Sequence, residues 1–197
     1  MCQLHIFIKF PTPGKVKTRI AADSSHETAA KIFKSLVEIL LSKLSKSRKI
    51  IHYSGAEEKK FKDWLGDEIF CQQSLGNLGE KLTFASKNHF RQQKEPMVII
   101  GSDCPEIDDA LIEETNDLLK KYDVVIGPAD DGGYYLIAFN SFYPELFENI
   151  TWSTSKVLEE TLAIIDSLNL SCKLLERKTD VDTWNQVPDE LKYLKEQ

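Results

Sequence analysis

Apolar and polar positions follow two different rhythms along this chain. LHIFIKF (4–10) is a run of β-favouring residues that Pro11, Pro13 and Gly14 interrupt, so it predicts a first strand. Between positions 27 and 44, Ile32, Phe33, Leu36, Val37, Leu40, Leu41 and Leu44 recur at steps of three and four, which is one face of a helix. KIIHYS (49–54) predicts a short strand, and a polar helix follows it, ending near Trp64 and Leu65. IFCQQ (69–73) predicts another strand and NLGEKLTFASKNHF (77–90) another helix. PMVIIGSD (96–103) has the strongest buried-strand pattern, four apolar residues running into a glycine. Asp108 or Asp109 stands where it can cap a helix carrying Leu111, Ile112, Leu118 and Leu119. Positions 123–127 and 134–139 predict two strands separated by ADDGG. Val157, Leu158, Thr161, Leu162, Ile165 and Leu168 form a further helical face, CKLLE (172–176) predicts a last strand, and a polar helix is expected after Pro188.

Strands interleaved with helices of about ten residues or more imply βαβ units and a mostly parallel sheet covered on both faces. The ADDGG connection is too short for a helical crossover, so one strand beside it is expected to run antiparallel. The expected fold is a three-layer α/β/α sandwich on a mixed, mostly parallel sheet. The sequence shows no repeat, linker or low-complexity stretch, so residues 1–197 are expected to form a single domain.

Composition narrows the class. A chain of 197 residues, 42% hydrophobic and 28% charged, is ordinary for one soluble globular domain. Its longest apolar runs fall far below the roughly 18–20 residues that cross a bilayer, so no membrane partner is expected. MCQLHIFIKFPTPG has no basic leader and no small-residue cleavage site, and a cytoplasmic location is expected. Cys2, Cys71, Cys104 and Cys172 lie far apart with no CxxC pair, which argues against a zinc site and for reduced thiols. A net charge of −6 disfavours nucleic acid as a partner. Charge is nonetheless unevenly placed. Lys9, Lys15, Lys17 and Arg19 fall together without an acid, whereas positions 103–131 hold ten acids and two bases. Two solvated faces account for that pattern, as does an anionic ligand bridged by a cation.

Ligands in open α/β sheets collect at the carboxyl ends of strands, and three loops leave strands there. In KFPTPGKVKTRI (9–20) the prolines stiffen the turn and Gly14 frees its backbone, while Lys15, Lys17 and Arg19 supply charge suited to phosphate. The loop lacks the spacing of a Walker A motif, and a basic solvent loop is the plain alternative. In GSDCPEI (101–107) a carboxylate directly follows a buried strand, enough to start a magnesium-type site completed by substrate phosphates; a turn cap before Pro105 is the alternative. None of His5, His26, His52 and His89 lies near Cys104 in sequence, so Cys104 is not read as a nucleophile. In GPADDGGYYLIAF (127–139) Asp130 and Asp131 precede two glycines, which suits close backbone approach to a ligand or a tight hairpin turn. A fourth segment, TDVDTW (179–184), sets Asp180 and Asp182 on one side of an extended chain.

Together these segments resemble one family, the radical-SAM/selenodomain-associated transferases, which are GT-A-like relatives of nucleotide-diphospho-sugar transferases. KFPTPGKVKTRI, QSLGNLGEKL (73–82), GSDCPEI, GPADDGGYYLIAF and WSTSKV (152–157) occur in order, with DVDTW near the end, over residues 4 to about 187. The resemblance implies a nucleotide or nucleotide-sugar substrate and a divalent metal, Mg²⁺ or Mn²⁺. Asp103 would take the place of the family's metal-binding aspartate, and Asp182 would complete that site. Lys17 and Arg19 would meet the phosphates, Pro13, Gly14 and Lys15 would belong to the same substrate-binding loop, and Gln73 and Gly76 would face the base. Asp131, Gly132, Gly133, Trp152, Ser153 and Thr154 would border the sugar or acceptor, with Asp131 as general base. The expected activity is metal-assisted glycosyl transfer from a nucleotide sugar. The alternatives are nucleotidyl transfer from an NTP to a phosphorylated compound, and nucleotide binding without catalysis. Nucleotidyltransferases of this fold carry a Gly-rich LAAGxGxRM-type loop where this chain has prolines.

Overall fold

The computed structural model describes residues 2–196. Its sheet is built from β1 (Gln3–Lys9), β2 (Lys49–Ser54), β3 (Ile69–Gln72), β4 (Met97–Ile100), β5 (Val124–Pro128), β6 (Tyr134–Phe139) and β7 (Cys172–Leu174). The helices are α1 (Thr18–Ala22), α2 (His26–Lys43), α3 (Glu58–Leu65), α4 (Leu78–Gln92), α5 (Asp109–Leu118) and α6 (Val157–Ser167). The chain after Pro188 forms a 3₁₀ helix, Asp189–Glu196, rather than an α-helix. The strand order is β3-β2-β1-β4-β6-β5-β7. Among the described residues only β6 runs against its neighbours, pairing antiparallel with both β4 and β5, as the short ADDGG connection requires.

Strand alternation divides the core into two apolar layers. Leu4, Ile6 and Ile8 of β1 and Val98 and Ile100 of β4 pack with Phe33, Val37 and Leu40 of α2, Phe61 of α3 and Ile112 of α5. Met97 and Ile99, together with Ile137 and Phe139, face the other way onto Leu82 and Ala85 of α4 and Ile165 of α6. Helices thus cover both faces, giving the three-layer α/β/α sandwich. Helix starts follow the expected chemistry. Asp108 caps α5 by accepting from the Leu111 amide, and Asn77 and Glu80 form a reciprocal capping box on α4. No helix among the described residues is long and apolar enough to cross a membrane.

The α4-facing layer contains a polar thread. His52 Nε2 lies 2.8 Å from His5 Nδ1, His5 Nε2 lies 3.3 Å from His89 Nδ1, and His89 Nε2 lies 2.8 Å from the Glu95 carbonyl oxygen. A carbonyl only accepts, so the proton there belongs to His89 Nε2. With that as the ring's one proton, His89 Nδ1 accepts from His5 Nε2–H, and His5 Nδ1 accepts in turn from His52 Nε2–H. Burial first, then His52 and His89, holds His5 down to about 2, and burial holds His52 down to about 4.

Candidate active site at the β1–β4 crevice

β1 and β4 are adjacent, but the chain leaves β1 toward β2 and β3 on one side and returns to β4 on the other. Their outgoing loops diverge at this switch point and leave a crevice at the carboxyl ends of the strands. The β1 loop is held in a compact turn: the Thr12 amide donates to Phe10 O at 2.8 Å, the Lys15 amide to Thr12 O at 3.0 Å, and Lys9 Nζ to Lys15 O at 2.8 Å. Gly14 takes φ 73°, where a glycine is at ease. Lys17 takes φ 46° and ψ 45°, a left-handed conformation that few residues with a β-carbon adopt.

That backbone turn aims Lys17 inward. Its Nζ lies 2.8 Å from Asp103 Oδ1 and 3.0 Å from Asp182 Oδ1, with the side chain only 5% exposed. Burial alone would lower its pKa, but the Asp103 and Asp182 carboxylates outweigh burial and hold the ammonium above its ordinary value. Arg19 stands outside at 3.8 Å from Asp182 Oδ2 and is largely exposed. Asp182 arrives on the chain beyond β7, which continues the sheet through a parallel bridge between Lys178 and Ala129. The Val181 amide then donates to Asp103 O at 2.9 Å, locking the two acid segments together.

A cavity of about 780 Å³ opens over this cluster. Lys15, Lys17, Arg19, Gln73, Asp103, Asp131, Gly133, Trp152, Ser153, Thr154 and Asp182 line it, so six separated stretches of sequence converge there. Pro13, Gly14, Gly76 and Gly132 stand outside the lining and shape the loops instead. Gly132 shows how: at φ 88° it accepts the Leu158 amide at 2.9 Å, and a β-carbon there would run into the backbone of Ser155. Asp131 Oδ1 accepts from the Gly133 amide at 2.8 Å within the turn. Gln73 spends its amide N–H on His52 O at 2.8 Å.

Sequence reasoning left Asp180 out of the site. It lines the same cavity, and burial first, then the carboxylates of Asp103 and Asp131, pushes it up to about 7 against the lowering effect of Lys17. The alternation of Asp180 with Asp182 was the available signal. Phe7, which carried no motif, also lines the cavity, as does Lys81 of the 73–82 stretch, which had not been singled out. Cys104 is buried, and burial pushes its thiol up to about 12, far from a thiolate. Among the described residues no three His, Cys, Asp or Glu side chains form a ready-made ion cage.

The comparisons with known proteins agree with this frame. The family described as "Uncharacterized protein conserved in bacteria (DUF2064)" matches residues 39–154, more than half of the chain. The chain belongs to the DUF2064 family. The matched span of this DUF2064 protein includes Asp103 and Asp131 and stops short of Asp180 and Asp182. A crystal structure of a candidate nucleotide-diphospho-sugar transferase from Desulfovibrio desulfuricans G20 superposes with a TM-score of 0.88 at 34% identity, covering 93% of this chain and 84% of that one. 4-diphosphocytidyl-2C-methyl-D-erythritol synthase from Anaerococcus prevotii DSM 20548 shares the fold at TM-score 0.60 and 12% identity, over 98% of both chains. So does Rv0371c from Mycobacterium tuberculosis H37Rv, at TM-score 0.57 and 12% identity, over 100% of this chain and 99% of that one. No curated protein matches the sequence.

Proposed function

We propose that this DUF2064 protein is a transferase that seats a nucleotide sugar in the β1–β4 crevice and moves its glycosyl group to an acceptor. One observation carries the reading: Lys17, Asp103 and Asp182 meet within hydrogen-bond distance at the switch point of the sheet. The 34% identity to a candidate nucleotide-diphospho-sugar transferase over most of both chains supports the donor class.

The donor set suits a divalent ion. The cavity holds four carboxylates, Asp103, Asp131, Asp180 and Asp182, all hard oxygen ligands, and Asp180 is pushed up partly because this negative charge is incompletely balanced. Mg²⁺-type ions take one or two carboxylates and complete their shell with water and substrate phosphate. Asp103 and Asp182 would hold the ion, which would neutralise charge on the diphosphate; Rv0371c has been solved in complex with manganese. Lys17 and Arg19 would add positive charge for the leaving diphosphate. As the bond from the anomeric carbon to the diphosphate oxygen breaks, the acceptor hydroxyl oxygen bonds to that carbon. Asp131, at the turn before Gly133, takes the hydroxyl proton.

Product analysis tests the reading. Incubation with nucleotide sugars and Mn²⁺ is expected to release nucleoside diphosphate, while pyrophosphate release from an NTP would replace it with nucleotidyl transfer. That second reading draws on the fold shared with the diphosphocytidyl synthase and on the basic loop. Binding without either product would leave a nucleotide-binding protein.

A further inference from the structure

Lys17 occupies the ground a metal ion would need. Its ammonium is held by one oxygen from each of the two carboxylates that would bind the ion, Asp103 Oδ1 and Asp182 Oδ1, and it is nearly out of solvent. An ion bonded to the same two oxygens would sit at about 2.1 Å from each, against the ammonium and repelling it. Lys17 is tethered by a left-handed backbone but carries four rotatable side-chain bonds, so its charge can move while its Cα stays.

We infer that Lys17 is a built-in counter-ion for Asp103 and Asp182 that has to move before the site can be filled, and that it thereby couples the binding of a divalent metal to that of a nucleoside diphosphate, so that neither alone is well received. This rests on the transferase reading and deepens it. With a metal ion alone on Asp103 and Asp182, Lys17 would be left as a buried ammonium without those acceptors, which is costly. A free nucleotide meets the four carboxylates of Asp103, Asp131, Asp180 and Asp182, two of them with no cation in contact. The complex answers both problems. Asp103 and Asp182 would hold the metal, and the displaced Lys17 would meet the phosphate oxygens. Metal and nucleotide then bind with strong positive coupling, and Lys17 is the positioning residue that creates it.

The test is a double titration by calorimetry and manganese electron paramagnetic resonance, using Mn²⁺ alone, then ADP, CDP, GDP and UDP, each alone and with Mn²⁺. In the wild-type protein the best diphosphate is expected to tighten Mn²⁺ binding by more than about tenfold, and Mn²⁺ to tighten that diphosphate by the same factor. In Lys17→Met, Mn²⁺ alone is expected to bind at least about tenfold tighter than in wild type, and the coupling to fall below about threefold. Independent binding of the two in wild type overturns the inference while leaving the nucleotide reading intact, and this result needs no variant to fold. Unchanged or weaker Mn²⁺ binding in Lys17→Met also overturns it. Absence of all binding overturns the inference together with the transferase reading.

Discussion

The Val181 amide donates to the carbonyl oxygen of Asp103 at 2.9 Å, and this bond, with the bridge between Lys178 and Ala129, holds Asp180 and Asp182 at the end of β4. Two stretches of chain far apart in sequence thereby share one cavity. The arrangement concentrates acids around one buried lysine, which has consequences for stability as well as for binding.

Asp180 bears most of that strain. Its carboxyl is raised from an ordinary 3.8 to about 7 by burial and by the Asp103 and Asp131 charges. A raised carboxyl binds its proton more tightly folded than unfolded, so its contribution is full below about pH 4 and is lost as pH rises to about 7. Asp180→Asn is therefore expected to stabilise the metal-free protein, with a gain that grows across that window and levels off above it. Thermal melts at pH 5, 7 and 8 in chelator check this; destabilisation at pH 8 would instead make the ionised carboxylate a structural anchor.

The imidazole thread has the opposite sign. His5 and His52 are held near 2 and 4, so the folded protein binds fewer protons than the unfolded chain, where histidine titrates near 6.5. Their contribution is full above about pH 6.5 and is lost as pH falls toward 4. Urea midpoints are expected to drop over that range, and more steeply in wild type than in His52→Phe. Nitrogen-15 shifts should report Nε2–H tautomers at His5, His52 and His89; equal slopes together with Nδ1–H tautomers would contradict the chain.

At Gly132, alanine must adopt φ 88° and place its β-carbon against the Ser155 backbone. Gly132→Ala is expected to cost about 1–3 kcal/mol and to lower Tm by roughly 3–10 °C. Gly133→Ala meets only the Asp131 carboxylate, at 3.2 Å, and should cost less. Melting curves on the two variants decide whether the 152–155 loop is seated through Gly132.

Cys104 invites suspicion beside Asp103, yet its thiol is buried and pushed up to about 12. Iodoacetamide at pH 7.5 should leave it unlabelled in the native protein, and Cys104→Ser should keep its nucleotide binding. Rapid labelling would reveal a thiolate that this geometry does not support.

Much of this fold was legible because periodicity reports local burial. The apolar face of α2 and the four-residue run of β4 appear in the chain almost as they stand in the structure. α1 was not legible: five residues show no period, and the helix starts at a left-handed Lys17 that no propensity announces. The sequence marked Lys17, Asp103 and Asp182 as charged loop residues, but their mutual contact depends on strand order and on the Val181 bond, which are long-range facts. Asp180 was passed over for the same reason, because its environment exists only after folding. The histidine thread joins β1, β2 and α4, and three single histidines carry no pattern at all.

Asp103 and Asp182 are proposed to receive a divalent ion together with the phosphates of a nucleotide. Calorimetric titration of the best-binding nucleoside diphosphate, with and without Mn²⁺, tests it on wild type, Asp103→Asn and Asp182→Asn. Asp103→Asn is expected to lose the manganese-dependent part of the affinity while remaining folded by circular dichroism, and Asp182→Asn to lose it less completely. Manganese-dependent binding at wild-type strength in Asp103→Asn would contradict it.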